Sequence, residues 1–145
     1  YSAKDVRDTY TAIFAERGCE APAVVRIYRS DANAEHFLAF GAALDGTEIT
    51  AETLNGAMDG LIFENGAAFN TVTADKDGHI RADLNDAFAA QVRSLGTSGE
   101  YFLVGGIVNT LLDAFDGTEV MLTVNGAPLE SGHNIYDYAL TRYEE

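Results

Sequence analysis

The chain has 145 residues, 47% of them hydrophobic, with eight Phe, seven Tyr and no Trp, enough material for one core that buries roughly two-thirds of the unfolded surface. Its net charge of −14, from 9 basic against 23 acidic residues, repels phosphate backbones and sets nucleic acid aside as a partner. No apolar run approaches the ~20 residues that a membrane helix needs.

The charge is uneven: up to Thr47 there are 5 basic and 7 acidic residues, and from Glu48 onward 4 basic and 16 acidic. Basic proteins and divalent cations remain open as partners, beside the plainer reading that acidity keeps an exposed surface dissolved. Tyr1 reads as the edge of a longer chain, so any export signal or lipid anchor would precede it. The single Cys19 permits no internal disulfide and leaves the redox compartment undecided.

The first segment, SAKDVRDTYTAIFAERG, places Val6, Tyr10, Ile13 and Phe14 on one helical face. Ser2 is its expected cap and Gly18 its stop. Residues 1–22 are therefore read as an N-terminal helix with its connection, and 23–145 as the main body. After Pro22, Val24 to Arg29 is a β-branched strand, SDANAE a turn, and HFLAFGAAL a second strand, together a hairpin. Thr50 caps a predicted helix that carries Leu54, Ala57, Met58, Leu61 and Ile62 at helical spacing, weakened by Gly56 and Gly60.

Phe69 to Ala74 and His79 to Leu84 flank Asp75-Lys76-Asp77-Gly78, a second hairpin built on an Asp-Gly turn. NDAFAAQVRSL reads as a short helix that packs Phe88 and Val92. The longest helix follows, with Thr97 and Glu100 as the two arms of a capping box. Its stripe is Leu103, Val104, Ile107, Val108, Leu111, Leu112 and Phe115. Asp116-Gly117 stops it, EVMLTV is a strand, Asn125-Gly126 a hairpin turn, and the tail NIYDYALTR supplies a last edge strand. Helices separated by hairpins indicate an α/β (α+β) sandwich, a mixed sheet with helices packed mainly on one face.

Candidate chemistry is sparse. His36, His79 and His133 have no metal-ligand spacing, and no Cys pattern supports zinc. Asp75-Lys76-Asp77-Gly78 is a fragment of a calcium loop without the further oxygen ligands such a loop needs, and turn chemistry accounts for it. Asp31 to Glu35 is similar. Ser98 before Gly99 lacks the glycine spacing of a nucleophile elbow. Asp83, Asp86 and Glu100 would act as acid and base only if folding brought them into one cleft. We thus expect no catalytic, cofactor-binding or metal residues and no cofactor. Gly105-Gly106, mid-helix, costs up to ~2 kcal/mol against alanine, which suggests close approach of another element, or of a partner's backbone. Tyr136 and Tyr138 belong either to edge-strand packing or to a binding surface.

Several of these segments together carry a family likeness. Val108-Asn109-Thr110-Leu111, Phe115-Asp116-Gly117, Glu119 to Val124 and Asn125-Gly126-Ala127-Pro128 resemble the C-terminal signature of the sporulation and spore-germination domain, the GerM-type (GerMN) family. VVRIYRSD, TAETLNGAMDGLI and IRADLNDAF fall in family order upstream, so the likeness runs from Val24 to Leu129. Gly60-Leu61-Ile62-Phe63 departs from the family's usual ending of its first helix, and the segment Ser2 to Arg17 lies outside the pattern.

The resemblance implies a ring-building-motif-like fold and no catalytic residues. It also implies extracytoplasmic placement in a bacterial envelope, as a secreted protein or a lipoprotein whose anchor lies outside this chain. The expected function is a non-enzymatic protein-interaction or structural module, tied to sporulation or germination, which binds an envelope protein or itself. The alternative is a domain that binds a small ligand or cell-wall fragment in a Tyr- and Phe-lined hollow, with Tyr136, Tyr138 and Tyr143 contributing.

Overall fold

The computed structural model describes residues 22–144; the predicted first helix and Cys19 lie outside them. Strand β1 (Val24–Ser30) pairs antiparallel with β2 (Phe37–Ala43), in register from Val24↔Ala43 to Ser30↔Phe37. Their turn is built by Asp31, whose Oδ1 accepts from the amides of Asn33 (3.2 Å) and Glu35 (2.9 Å). Ala34 takes the left-handed conformation there, φ 53°.

Helix α1 (Ala51–Met58) starts at Thr50, where Thr50 and Thr53 cap each other: each hydroxyl accepts from the other residue's amide. The reciprocal arrangement satisfies two of the free amides of a helix start. The helix is shorter than its apolar spacing suggested. Gly60 turns the chain at φ 80°, and Met58 O collects the amides of Leu61, Ile62 and Phe63. Ile62 stays in the core while Leu61 is left 38% exposed.

Strands β3 (Phe69–Ala74) and β4 (His79–Leu84) form the second hairpin at the predicted residues, closed by Asp75 Oδ1 accepting from Asp77 and His79 amides, 2.9 Å each. Asn85 caps α2 (Asp86–Arg93), and α3 (Thr97–Phe115) follows directly. Strand β5 (Glu119–Val124) then returns parallel to β4, from His79↔Glu119 to Leu84↔Val124. A parallel neighbour requires a long crossover, and α2 with α3 supplies it. Asn125 (φ 49°) and Gly126 (φ 87°) make the two-residue turn into β6 (Ala127–Glu130), and β6 pairs with β7 (Ile135–Tyr136).

The larger sheet thus has the order β3-β4-β5-β6-β7 and is mixed, while β1-β2 stands as a separate two-stranded sheet. In β4 and β5 buried Ile80, Ala82, Leu84, Val120 and Leu122 alternate with outward residues, as expected of a sheet covered on one face only. No helix among the described residues is long and apolar enough to cross a membrane.

Helix α3 is buried without interruption from Val104 to Leu112, and each side of it meets something different. Gly106, Thr110 and Asp113 meet β1: a Cβ on Gly106 would stand 2.6 Å from Tyr28 O, Thr110 Oγ1 accepts the Tyr28 amide at 3.0 Å, and Asp113 Oδ2 accepts the Tyr28 hydroxyl at 2.6 Å. Tyr101, Gly105 and Asn109, four residues apart, meet the C-terminal tail. The Tyr143 ring lies where a Gly105 Cβ would go (2.6 Å), and Asn109 brackets the Tyr143 backbone, accepting from its N–H (2.9 Å) and donating to its C=O (3.0 Å). The apolar remainder joins the core that contains Ile27, Leu54, Ile80, Phe88, Val120 and Leu122. Each such side chain contributes about 1.5–3 kcal/mol by burial, which outweighs the ~1 kcal/mol that each glycine costs the helix.

Candidate functional site

The expected capping box at Thr97 does not form. Gly96 is the N-cap, with no side-chain hydrogen bond, and Glu100 points elsewhere. Glu100 precedes Val104 by one turn, on the stripe that faces inward, so its carboxylate is carried into the molecule, where the residue is 6% exposed. There Oε2 accepts from the Tyr136 hydroxyl at 2.6 Å and Oε1 faces His133 Nδ1 at 3.0 Å.

Three elements deliver this cluster. Helix α3 supplies Glu100, the turn after β6 supplies His133, and β7 supplies Tyr136. Ser131 Oγ holds that turn, accepting the amides of His133 (3.1 Å) and Asn134 (3.0 Å). Burial alone would raise the Glu100 pKa. The hydrogen bonds from Tyr136 and His133 outweigh it and keep the carboxyl below its ordinary value. Burial, then the bond to Glu100, moves the Tyr136 phenol well above the usual range, so it stays a donor.

Beyond β7 the tail turns back over α3. Leu140 exchanges two backbone hydrogen bonds with Val120 (2.8 and 2.7 Å), extending the sheet beside β5. Arg142 pairs with Asp113 and lies 5.8 Å from the centre of the Tyr28 ring, a cation–π distance. The Tyr101 hydroxyl donates to the Glu144 carbonyl. Between this tail and the first turn of α3 lies an open cleft of about 540 Å³, whose walls include Tyr101, Tyr136, Tyr138 and Tyr143 with Glu100 and Asn134. The Tyr101 and Tyr143 rings are 4.9 Å apart, and burial pushes the Tyr143 phenol up to about 12.

Of the residues singled out from the sequence, Tyr136 is buried at 4% exposure and Tyr138 is 48% exposed, and both line this cleft. Gly105 and Gly106 are buried within the chain, against the tail and β1 respectively, and neither presents backbone to a partner. Asp83 and Asp86 share a different network: Asp83 accepts from Thr123 Oγ1 (2.6 Å) and Gly126 N (2.8 Å), and Asp86 from Asn125 (2.7 Å). Glu100 is not part of it, so the three carboxylates do not form one site. Oδ1 of Asp31 and Oδ1 of Asp75 each accept two backbone amides. His79 lies on the surface between Asp75 (3.4 Å) and Glu119 (3.3 Å). No three His, Cys, Asp or Glu side chains among the described residues converge to hold a metal ion.

Sequence reasoning missed Tyr101 and the inward turn of Glu100. The signal was there: a charged residue on the apolar stripe of a helix is out of place unless a polar cluster receives it.

A second surface feature is β2. Among the described residues it pairs only with β1, and no other described strand takes up its outer backbone edge. Leu38 (43% exposed) and Phe40 (41% exposed) project from it on one face.

The arrangement of these sheets and helices is a fold also seen in GerMN domains. The first GerMN domain of the sporulation protein GerM from Bacillus subtilis superposes with a TM-score of 0.60 at 23% identity, over 82% of this chain and 97% of that one. The tandem GerMN domains of the same protein match with a TM-score of 0.58 at 18% identity, over 85% of this chain and 45% of the tandem. Residues 21–130 match the Germane family, described as sporulation and spore germination, and the chain belongs to that family. No curated protein sequence matches it significantly.

Proposed function

We propose that this chain is a non-catalytic interaction module of the bacterial envelope, working outside the cytoplasm in sporulation or germination and binding a protein partner or a second copy of itself. The observation that carries this reading is β2. A strand edge that no other described strand covers, with two large apolar side chains beside it, is a hazard to an isolated protein, and natural proteins normally blunt such edges. Kept open, it offers backbone hydrogen bonds and anchors for strand addition. Family membership supports the sporulation or germination setting.

The test is a photo-crosslinking residue placed at Phe40, on the exposed face of β2, in cells of the native host. A discrete adduct with an envelope protein or with another copy of the chain is the expected result. Adducts only with cytoplasmic proteins, or none at any stage of growth, would reject the module. A second reading, a binding domain for a small ligand or wall fragment, is favoured by one observation, the convergence of Tyr101, Tyr136, Tyr138 and Tyr143 on one cleft.

A further inference from the structure

The cleft between the tail and α3 combines three features that point to a cation. It holds the Glu100 carboxylate, whose side chain is only 7% exposed and whose one basic neighbour among the described residues is a histidine; no described Lys or Arg pairs with it. A buried carboxylate so compensated leaves a negative potential in the cleft. The walls are tyrosine rings, whose faces attract positive charge. Arg142, which also lines the cleft, has its charge already committed to Asp113 and the Tyr28 ring.

An ionised carboxylate has about four acceptor sites, and Tyr136 and His133 take up one on each oxygen. With the side chain only 7% exposed, what can be reached suits one compact donor on a slender stem rather than the planar fork of a guanidinium, which needs both oxygens uncovered side by side. A lysine meets the description, because its four-carbon stem packs along aromatic walls while its ammonium group carries the charge.

We propose that this cleft receives a lysine side chain from a basic segment of a partner protein, with the ammonium group directed at Glu100 and the stem between Tyr101 and Tyr138. The inference rests on the interaction-module reading and adds to it a second contact surface, with the chemistry of what it takes. The net charge of −14 assists the encounter, since an acidic surface steers basic partners toward it and this steering weakens with salt.

The experiment is an amide-resolved NMR titration of the chain with a trilysine peptide, run beside triglutamate and the trimer of N-acetylglucosamine. The expected result is saturable shifts centred on Glu100, Tyr101, Tyr136 and Tyr138 with trilysine only. Tyr138→Ala, at an exposed position, is expected to weaken binding about 3- to 10-fold. Glu100→Gln is expected to weaken it at least as much, while Asp77→Asn, an equal loss of charge on the exposed turn after β3, leaves it unchanged.

Shifts spread over the acidic surface, equal weakening by Asp77→Asn and Glu100→Gln, or saturation by the sugar trimer without trilysine would each overturn the proposal. Should Glu100→Gln fail to fold, the Tyr138→Ala and Asp77→Asn pair decides alone. Absence of trilysine binding with Phe40 crosslinks intact sinks only the lysine cleft; loss of the crosslinks sinks the module reading.

Discussion

At Gly106 a missing side chain sets the distance between a helix and a strand. The Tyr28 carbonyl occupies the place of the absent Cβ at 2.6 Å, and main chain cannot swing aside as a side chain can. Its neighbour Gly105 faces the Tyr143 ring at a similar distance and the tip of the Phe37 ring at 2.9 Å, but both are side chains, which can shift. The two glycines therefore answer differently to one added methyl group. Gly106→Ala recovers about 1 kcal/mol of helix propensity yet forces β1 away from α3, for a net loss of about 1–3 kcal/mol. Gly105→Ala displaces Tyr143 at a smaller cost and speeds hydrogen exchange at the Tyr143 amide. Urea denaturation of both variants checks this, and Gly105→Ala proving the more damaging would contradict it.

The Asn109-Thr110-Leu111 part of the family likeness also acquires a physical meaning. Asn109 imitates a strand partner for the tail, Thr110 does the same for β1, and Leu111 fills the core. Sequence periodicity placed only Leu111 on the stripe, because an apolar pattern registers burial and is silent about polar side chains that stand in for backbone.

Between elements, the decisive join is β1 against α3. The Tyr28 amide points away from β2 and would be an unpaired donor without Thr110, whose hydroxyl in turn donates to Gly106 O at 2.6 Å. Thr110→Val keeps the shape and removes the acceptor, so it leaves that amide unsatisfied at a cost of about 1–3 kcal/mol. Thr110→Ser keeps the hydroxyl and loses only a methyl group. The expected order of stability by urea unfolding is parent, then Ser, then Val, with faster exchange at the Tyr28 amide in the Val variant alone. Equal stability of Ser and Val would mean that the hydroxyl is not the join.

Element boundaries were legible wherever turn chemistry was local. Asp75 to Gly78 and Asn125-Gly126 sit at the predicted turns, since their conformations are dictated by residues within them. The end of α1 was not legible, because Leu61 and Ile62 continue its apolar spacing and only the turn at Gly60 breaks it. The capping box failed for a related reason: Thr97 and Glu100 have the right spacing, but the cluster of His133 and Tyr136, some thirty residues later, competes for the carboxylate.

For the whole molecule, the acid limb of stability tests that competition. The Glu100 carboxyl has a folded-state pKa below its ordinary 4.5, and Asp83 lies below its ordinary 3.8 through bonds from Thr123, Asn70 and Gly126 that outweigh burial. A depressed folded pKa means that the native state binds fewer protons than the unfolded state in the window between the two values. The stabilisation from Glu100 is therefore fully present above about 4.5 and is lost as pH falls through the lowered value. Glu100→Gln should be less stable at neutral pH, by about 1–3 kcal/mol for hydrogen bonds to a charged group, and should show a shallower decline of the urea midpoint below that pH. An unchanged slope would assign acid sensitivity elsewhere.

The sequence by itself determined the alternation of hairpins and helices, the two glycines pressed into α3, the excess of negative charge and the family likeness. These depend on neighbours along the chain or on totals. Tertiary structure alone decided which groups receive Glu100, that Tyr101, Tyr136, Tyr138 and Tyr143 share one cleft, and that Leu38 and Phe40 are left exposed on β2. Each of those outcomes depends on which distant segments compete for the same space and the same hydrogen bonds, and no local pattern records that competition.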